Sequence, residues 1–184
     1  MTVLQLIRSD YDKYKKYGSG FFAIVFLTQG FWATFQYRIA RYFFTTVTVQ
    51  PFRFIINCWM LFWRKNLEIF TGISIPATAQ IGHSFYIGHY GAIIFNDDVV
   101  LGNNCNVAQG VTLGISGLDA KRGVPTIGNN VFIGPNATIA GKITIGDDVL
   151  IGANSFVNKD VEAGCTMLGV PAVVISQNGS KAYI

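Results

Sequence analysis

This chain of 184 residues predicts a mainly β fold, a single-stranded parallel β-helix behind a helical N-terminal region, and three observations carry that expectation. An aliphatic residue returns at six-residue steps: Ile81 and Ile87, then Leu101, Val107 and Leu113, and after a gap Ile127, Ile133, Ile139, Ile145, Ile151 and Val157. Six fits neither the 3.6 period of a helix nor the 2 of a strand. In a coil of short strands, each hexad is one edge and its aliphatic residue stacks on equivalents above and below. Glycine follows many of these residues, as at Gly82, Gly102, Gly128 and Gly146, which suggests a tight corner with positive φ. Composition also changes near residue 70. The first 70 residues hold 19 of the 26 aromatics and nine Lys or Arg against three acids, whereas the remainder holds five against seven.

Taken in order, residues 1–16 read as a polar lead-in with a short helix, ended by Gly18-Ser19-Gly20. Phe21 to Phe44 is aromatic-rich and interrupted at Gln29-Gly30, with Arg38 and Arg41 on one helical face. Pro51 suits the first turn of a further helix reaching about Phe70. Residues 1–70 are therefore expected to form two or three helices on one end of the coil, residues 71–175 the coil, and residues 176–184 a loose tail. Residues 114–126 are too polar and glycine-rich to continue the coil and should project as a loop.

Residues 17–37 lack charge and have the length of a membrane span, but three glycines and two glutamines interrupt them, so no crossing is expected. Two readings of the aromatic region stay open. Cationic side chains beside Trp and Phe suit a membrane surface, giving peripheral contact; alternatively the aromatics form a helical core or an oligomer contact. The odd set Cys58, Cys105 and Cys165 has no Cys-x-x-Cys spacing, and Arg8, Asp10, Asp12 and Lys13 precede any apolar run. Free thiols and a cytoplasmic location, with membrane association as a variant, are expected; a nucleic-acid partner is not.

Only two histidines exist, His83 and His89, one hexad apart on different faces. A zinc centre on such a coil needs three converging imidazoles, so no metal is expected. His89 is the candidate general base: the six-residue beat slips by two between Ile87 and Leu101, and a neutral imidazole suits proton removal from a hydroxyl near pH 7.

The stretches Ile87-Gly88-His89, Gln109 to Gly114 and Gly169-Val170-Pro171-Ala172, within residues 66–175, resemble the hexapeptide-repeat acyltransferases with a left-handed β-helix. The likeness is to their serine O-acetyltransferase-like branch, which includes acetyltransferases of exopolysaccharide (colanic-acid-type) synthesis. The resemblance implies a homotrimer, with pairing of two trimers as a further option, and acetyl-CoA as cosubstrate. It makes His89 the base for direct attack of an acceptor hydroxyl on the thioester, with backbone N–H groups holding the oxyanion. It places the pantetheine arm near Gly114, Ala137 and Ala153, a CoA phosphate at Lys159, and Val170 and Pro171 in the arm that closes over the cofactor. His83 matches no functional position and should lie on the surface.

The chain departs from the serine enzymes at three places. Ser74-Ile75-Pro76-Ala77 replaces Asp-Ile-His-Pro, Gly88 replaces an aspartate, and Gly123-Val124 replaces an Arg-His pair. Glu68, Ser74, Asp97, Asp98 and Arg122 are the acceptor-side candidates in their stead. With the serine pocket missing, the expected acceptor is a sugar hydroxyl of a polysaccharide or its precursor. L-serine is the runner-up and a sugar amine the third choice. A non-catalytic trimeric scaffold would differ from all three by not binding CoA.

Overall fold

The computed structural model describes residues 1–184, the side chain of Lys121 excepted. Four helices come first: α1 (Val3–Lys16), α2 (Phe21–Leu27), α3 (Gln29–Thr46) and α4 (Phe52–Thr71). A capping box opens α1, in which the Thr2 hydroxyl accepts from Gln5 N–H and the Gln5 side chain accepts from Thr2 N–H. Thr28 separates α2 from α3, next to the predicted interruption, and its hydroxyl donates to the Ala23 carbonyl. Gly72, at φ 68°, closes α4 in the left-handed conformation that suits glycine.

The coil that follows is a left-handed parallel β-helix with three faces. The first face holds β1 (Ile73–Ser74), β4 (Ile93–Phe95), β7 (Thr112–Gly114), β10 (Thr138–Ala140) and β13 (Phe156–Val157). The second holds β2 (Gln80–Ile81), β5 (Val100–Leu101), β8 (Thr126–Ile127) and β11 (Thr144–Ile145). The third holds β3 (Tyr86–Ile87), β6 (Asn106–Val107), β9 (Phe132–Ile133), β12 (Leu150–Ile151), β14 (Thr166–Gly169) and β15 (Ala172–Ser176), the last pairing antiparallel with β14. In register, Ile87 lies on Val107 and Val107 on Ile133, so the hexad residues form one buried stack. A second inward position lies two residues earlier, filled by Phe85, Val111, Val131 and Val149, and by small residues at Cys105, Ala137, Ser155 and Cys165.

The glycines serve a purpose other than the predicted one. Gly82, Gly102, Gly128 and Gly146 do not have positive φ; that conformation falls two residues later, on Ser84, Asn104, Asn130 and Asp148, at φ 55° to 58°. Short polar side chains tolerate it, and they link one rung to the next: Asn104 Nδ2 donates to Asn130 Oδ1 (2.8 Å) and Asn130 Nδ2 to Asp148 Oδ1 (3.0 Å). Glycine is needed because the rungs touch. A Cβ on Gly102 would lie 2.5 Å from the Gly128 carbonyl oxygen.

Buried polar contacts fasten the helices to the coil. Arg38 makes a two-pronged pair with Asp10 (2.7 and 3.0 Å) and donates to the carbonyls of Ile81 and Gly82. Asp10 in turn accepts from Phe85 N–H at 2.8 Å. Lys13 Nζ donates to the Asn104 carbonyl, and Arg41 to the carbonyls of Ala77 and Thr78. Much of the basic charge of the N-terminal region is thus consumed internally. Residues 176–184 are not loose either. Ser180, fully buried, donates its N–H to the Asp148 carbonyl, and the Tyr183 ring packs 4.9 Å from that of Phe132. The Tyr183 carbonyl accepts from both Tyr17 Oη and Asn106 Nδ2, so the tail bridges α1 and the third face.

Candidate functional site

The slip in the hexad beat lies at the corner that carries His89. Ile87 stacks on Val107 and Phe95 on Leu113, so eight steps join the first pair members where six join the second, and the 88–94 turn is two residues longer than its neighbour. The extra length pushes the turn outward, leaving His89 and Tyr90 exposed. Backbone bonds fix the base of the bulge: Gly91 N–H donates to the Thr71 carbonyl (2.8 Å), and Gly110 N–H donates to the Gly91 carbonyl (2.9 Å). The turn that carries His89 is therefore tied to the last residue of α4 on one side and to the Gln109-Gly110 corner on the other. Gln109 Oε1 is buried without a hydrogen-bond partner at that next corner. His83 is half-buried rather than free on the surface, with Nδ1 at 3.0 Å from Ser84 Oγ.

Between the C-terminal half of α4 and the first face of the coil lies a cleft of about 360 Å³. Arg64, Ser74, Asp97, Thr112 and Gly114 line it. Its charged wall is built as a unit. Glu68 Oε1 accepts from Ser74 Oγ at 2.6 Å, Lys65 Nζ donates to Glu68 Oε2 at 2.6 Å, and Arg64 Nε lies 3.3 Å from Oε1. Burial pulls the Glu68 pKa upward, but the bonds from Lys65 and Ser74 and the charge of Arg64 outweigh it and hold the carboxyl below its usual range. Glu68 is thus an ionised acceptor one helical turn from the Thr71 carbonyl that braces the His89 turn. The Arg64 Nε is buried and makes no hydrogen bond. Asp97, at the rim, accepts from Thr78 Oγ1 at 3.0 Å.

The structure thus brings together Glu68, Ser74, Asp97 and Gly114, and adds Arg64, which was not among the residues expected from sequence. The i,i+4 spacing of Arg64 and Glu68 was the available signal. Asp98 and Arg122 lie outside the cleft, exposed on separate turns. Ala153, Lys159, Val170 and Pro171 are exposed further along the coil, with Val170 and Pro171 at the β14–β15 turn. Ala137 is corrected: fully buried, it fills a second inward position, and its carbonyl accepts from Thr112 N–H, so it offers no surface to a groove. The projecting loop folds back on itself through a Ser116–Gly123 bridge and exposes Leu118.

Comparison with known proteins finds the family model "Bacterial transferase hexapeptide (six repeats)" matching residues 125–159. Serine acetyltransferase from Bacillus subtilis (strain 168) is 34% identical over 168 residues, which cover 88% of this chain and 70% of that protein. The serine acetyltransferase of Synechococcus elongatus is 38% identical over 114 residues, 62% of this chain and 47% of that one. Against that relative and the serine acetyltransferase of Bacillus licheniformis, the chain spans about half of the relative's length. A solved serine acetyltransferase in complex with CoA superposes with a TM-score of 0.78 at 25% identity, over 95% of this chain and 70% of the other.

Proposed function

Because the chain belongs to the serine acetyltransferase family of hexapeptide-repeat transferases, we propose that it is an acetyl-CoA-dependent O-acetyltransferase with His89 as general base. The observation that carries this is the lengthened turn: two extra residues at one coil corner leave one imidazole exposed, on a turn bonded to the last residue of α4. The acceptor hydroxyl gives its proton to the His89 ring as its oxygen attacks the thioester carbonyl. The C–O bond forms, the negative charge on the carbonyl oxygen falls to backbone N–H donors, and collapse breaks the C–S bond. The imidazolium returns the proton to the sulfur, so ester and free CoA thiol leave. Among the carboxylates on the acceptor side, Glu68 is the one on the element that braces the His89 turn, and it is the partner proposed for the base.

For the acceptor, L-serine displaces the sugar hydroxyl as the leading reading. The relatives are serine acetyltransferases by name. The cleft also supplies a cation, Arg64, and a carboxylate, Asp97, which suit the carboxylate and ammonium of an amino acid. Those groups stand in for the acidic and Arg-His residues that the chain lacks. A homotrimer, with pantetheine running between the coils of adjacent subunits past Gly114 and Ala153 toward Lys159, completes the proposal and fits a cytoplasmic setting where acetyl-CoA is made.

The test supplies acetyl-CoA with L-serine or with sugars and follows free thiol. Turnover with serine and a fall of about 10²-fold or more in His89→Ala are expected. An unchanged rate removes His89 from the mechanism, and thiol release with sugars but not serine reinstates the sugar.

A further inference from the structure

A helix that is apolar all round is normally buried, and α4 is apolar on two faces with only one of them covered. Its inner face packs on α3, while Ile55, Trp59, Phe62 and Ile69 on the outer face are 59%, 64%, 61% and 81% exposed. On α2, Phe22, Phe26 and Leu27 are exposed in the same way. Between the two helices runs a groove of about 540 Å³, with Phe21 and Val25 on one wall, Trp63 and Leu67 on the other, and Phe31 and Phe35 in its floor. The indole N–H of Trp32, which also borders it, is already given to the Val25 carbonyl at 2.8 Å. The lining is apolar, so it suits hydrocarbon.

The charge pattern says which apolar partner fits. Residues 17–37 and 54–63, which form most of this surface, contain no charged residue. The charges that border them in sequence are all basic; Arg38 and Arg64 are held by Asp10 and Glu68, which leaves Lys15 and Lys16 before α2 and Arg53 in the first turn of α4. Among the described residues none of the three is in an ion pair. A second copy seated on this face by a two-fold axis would bring the same cations, while the acids nearest the face, Asp12 and Glu68, are already paired with Arg8 and with Arg64 and Lys65. An anionic lipid surface offers negative charge at the rim and hydrocarbon at the centre, and Trp and Phe favour that boundary. No helix among the described residues is long and apolar enough to cross a bilayer, so the contact would lie in its plane.

We propose that the outer face of α2 and α4 is a docking surface for anionic phospholipid membranes, with the groove between them taking up an acyl chain. Lys15, Lys16 and Arg53 meet the headgroups, and Trp59 and Phe62 enter the interface. Acetyl transfer plays no part in this, so the two readings stand or fall separately.

The experiment sediments the full chain with vesicles of phosphatidylcholine alone or of equal parts phosphatidylcholine and phosphatidylglycerol, without acetyl-CoA. Binding at least tenfold stronger to the anionic vesicles is expected, fading with added salt, and with a blue shift of tryptophan emission. Phe62→Glu, at an exposed position where the melting curve should not move, should weaken binding about tenfold or more. The double variant Lys15→Glu/Lys16→Glu should abolish the preference for phosphatidylglycerol while leaving the weak binding to neutral vesicles. Absence of the parent from the anionic vesicle pellet overturns the proposal, as does undiminished binding by Phe62→Glu. A solution mass that halves on Phe62→Glu also overturns it, because a second copy would then be what covers the face.

Discussion

Replacing Gly102 with alanine tests the claim that glycine serves rung-to-rung contact. The added Cβ would lie 2.5 Å from the Gly128 carbonyl oxygen, 2.6 Å from its carbonyl carbon and 2.9 Å from Asn129 N, all backbone atoms with no rotamer to yield. Ordinary contact begins near 3.4 Å, so the rungs must part by about 0.9 Å at this corner. The nearest ladder bond, Gly102 N–H to the Ile127 carbonyl at 2.9 Å, would stretch past hydrogen-bonding range. Overpacking costs about 1–3 kcal/mol and the lost bond about 1, so a loss of about 2–4 kcal/mol is expected. In a chain of this length that lowers Tm by roughly 5–15 °C. Gly88→Ala is the matched control. Its Cβ would meet nothing closer than a Tyr86 ring carbon at 3.4 Å, and Tm should hold within a few degrees. Thermal unfolding by circular dichroism reads both. Equal Tm values for the two variants would refute the rung-contact account, and a large loss at Gly88 alone would reverse it.

Three further outcomes follow. Arg38→Met strands the buried Asp10 carboxylate and should cost about 3–5 kcal/mol in urea unfolding; Asp10→Leu with Arg38→Met should cost less than the two single changes added together. Burial pushes Lys13 down from 10.5 to about 8, so between these values the unfolded chain binds the extra proton and stability rises with pH; the Tm of the parent should gain on that of Lys13→Met from pH 8 to 10, and a constant difference would count against a buried Lys13. Gly114→Ala meets only Thr112 Cγ2 at 3.7 Å and Ala140 Cβ at 3.9 Å, so Tm should hold while KM for acetyl-CoA rises severalfold; an unchanged KM moves the pantetheine path elsewhere.

The coil was legible in the sequence because its inward residues recur at a fixed step and each must fill the same space. The two-residue slip near His89 was legible for the same reason, as a break in that step. What escaped was whatever depends on contact between rungs or between helix and coil. The hexad glycines could be seen but not their cause, since a positive φ and a close neighbour both demand glycine and only coordinates separate them. Ala137 looks in sequence like a small groove residue, yet the second inward position also accepts small side chains at Cys105, Ser155 and Cys165. The tail lacks periodicity and so looked loose, although Ser180 and Tyr183 find partners on Asp148, Phe132 and Tyr17.

The N-terminal charge shows how far composition can mislead about a surface. Nine basic residues against three acids suggested an electropositive region, but Lys13, Arg38 and Arg41 point inward to the coil, and Arg64 and Lys65 are held by Glu68. Each inward cation answers a structural need: carbonyls at coil corners and buried carboxylates must be paired once the helices cover them. The Arg64–Glu68 pair answers two needs at once, because it staples the C-terminal half of α4 and, through Ser74, ties that helix to the wall of the cleft. The element that joins helices to coil therefore also carries the groups that would set the acceptor, so a substitution in the last turn of α4 should alter acceptor preference before it alters the fold.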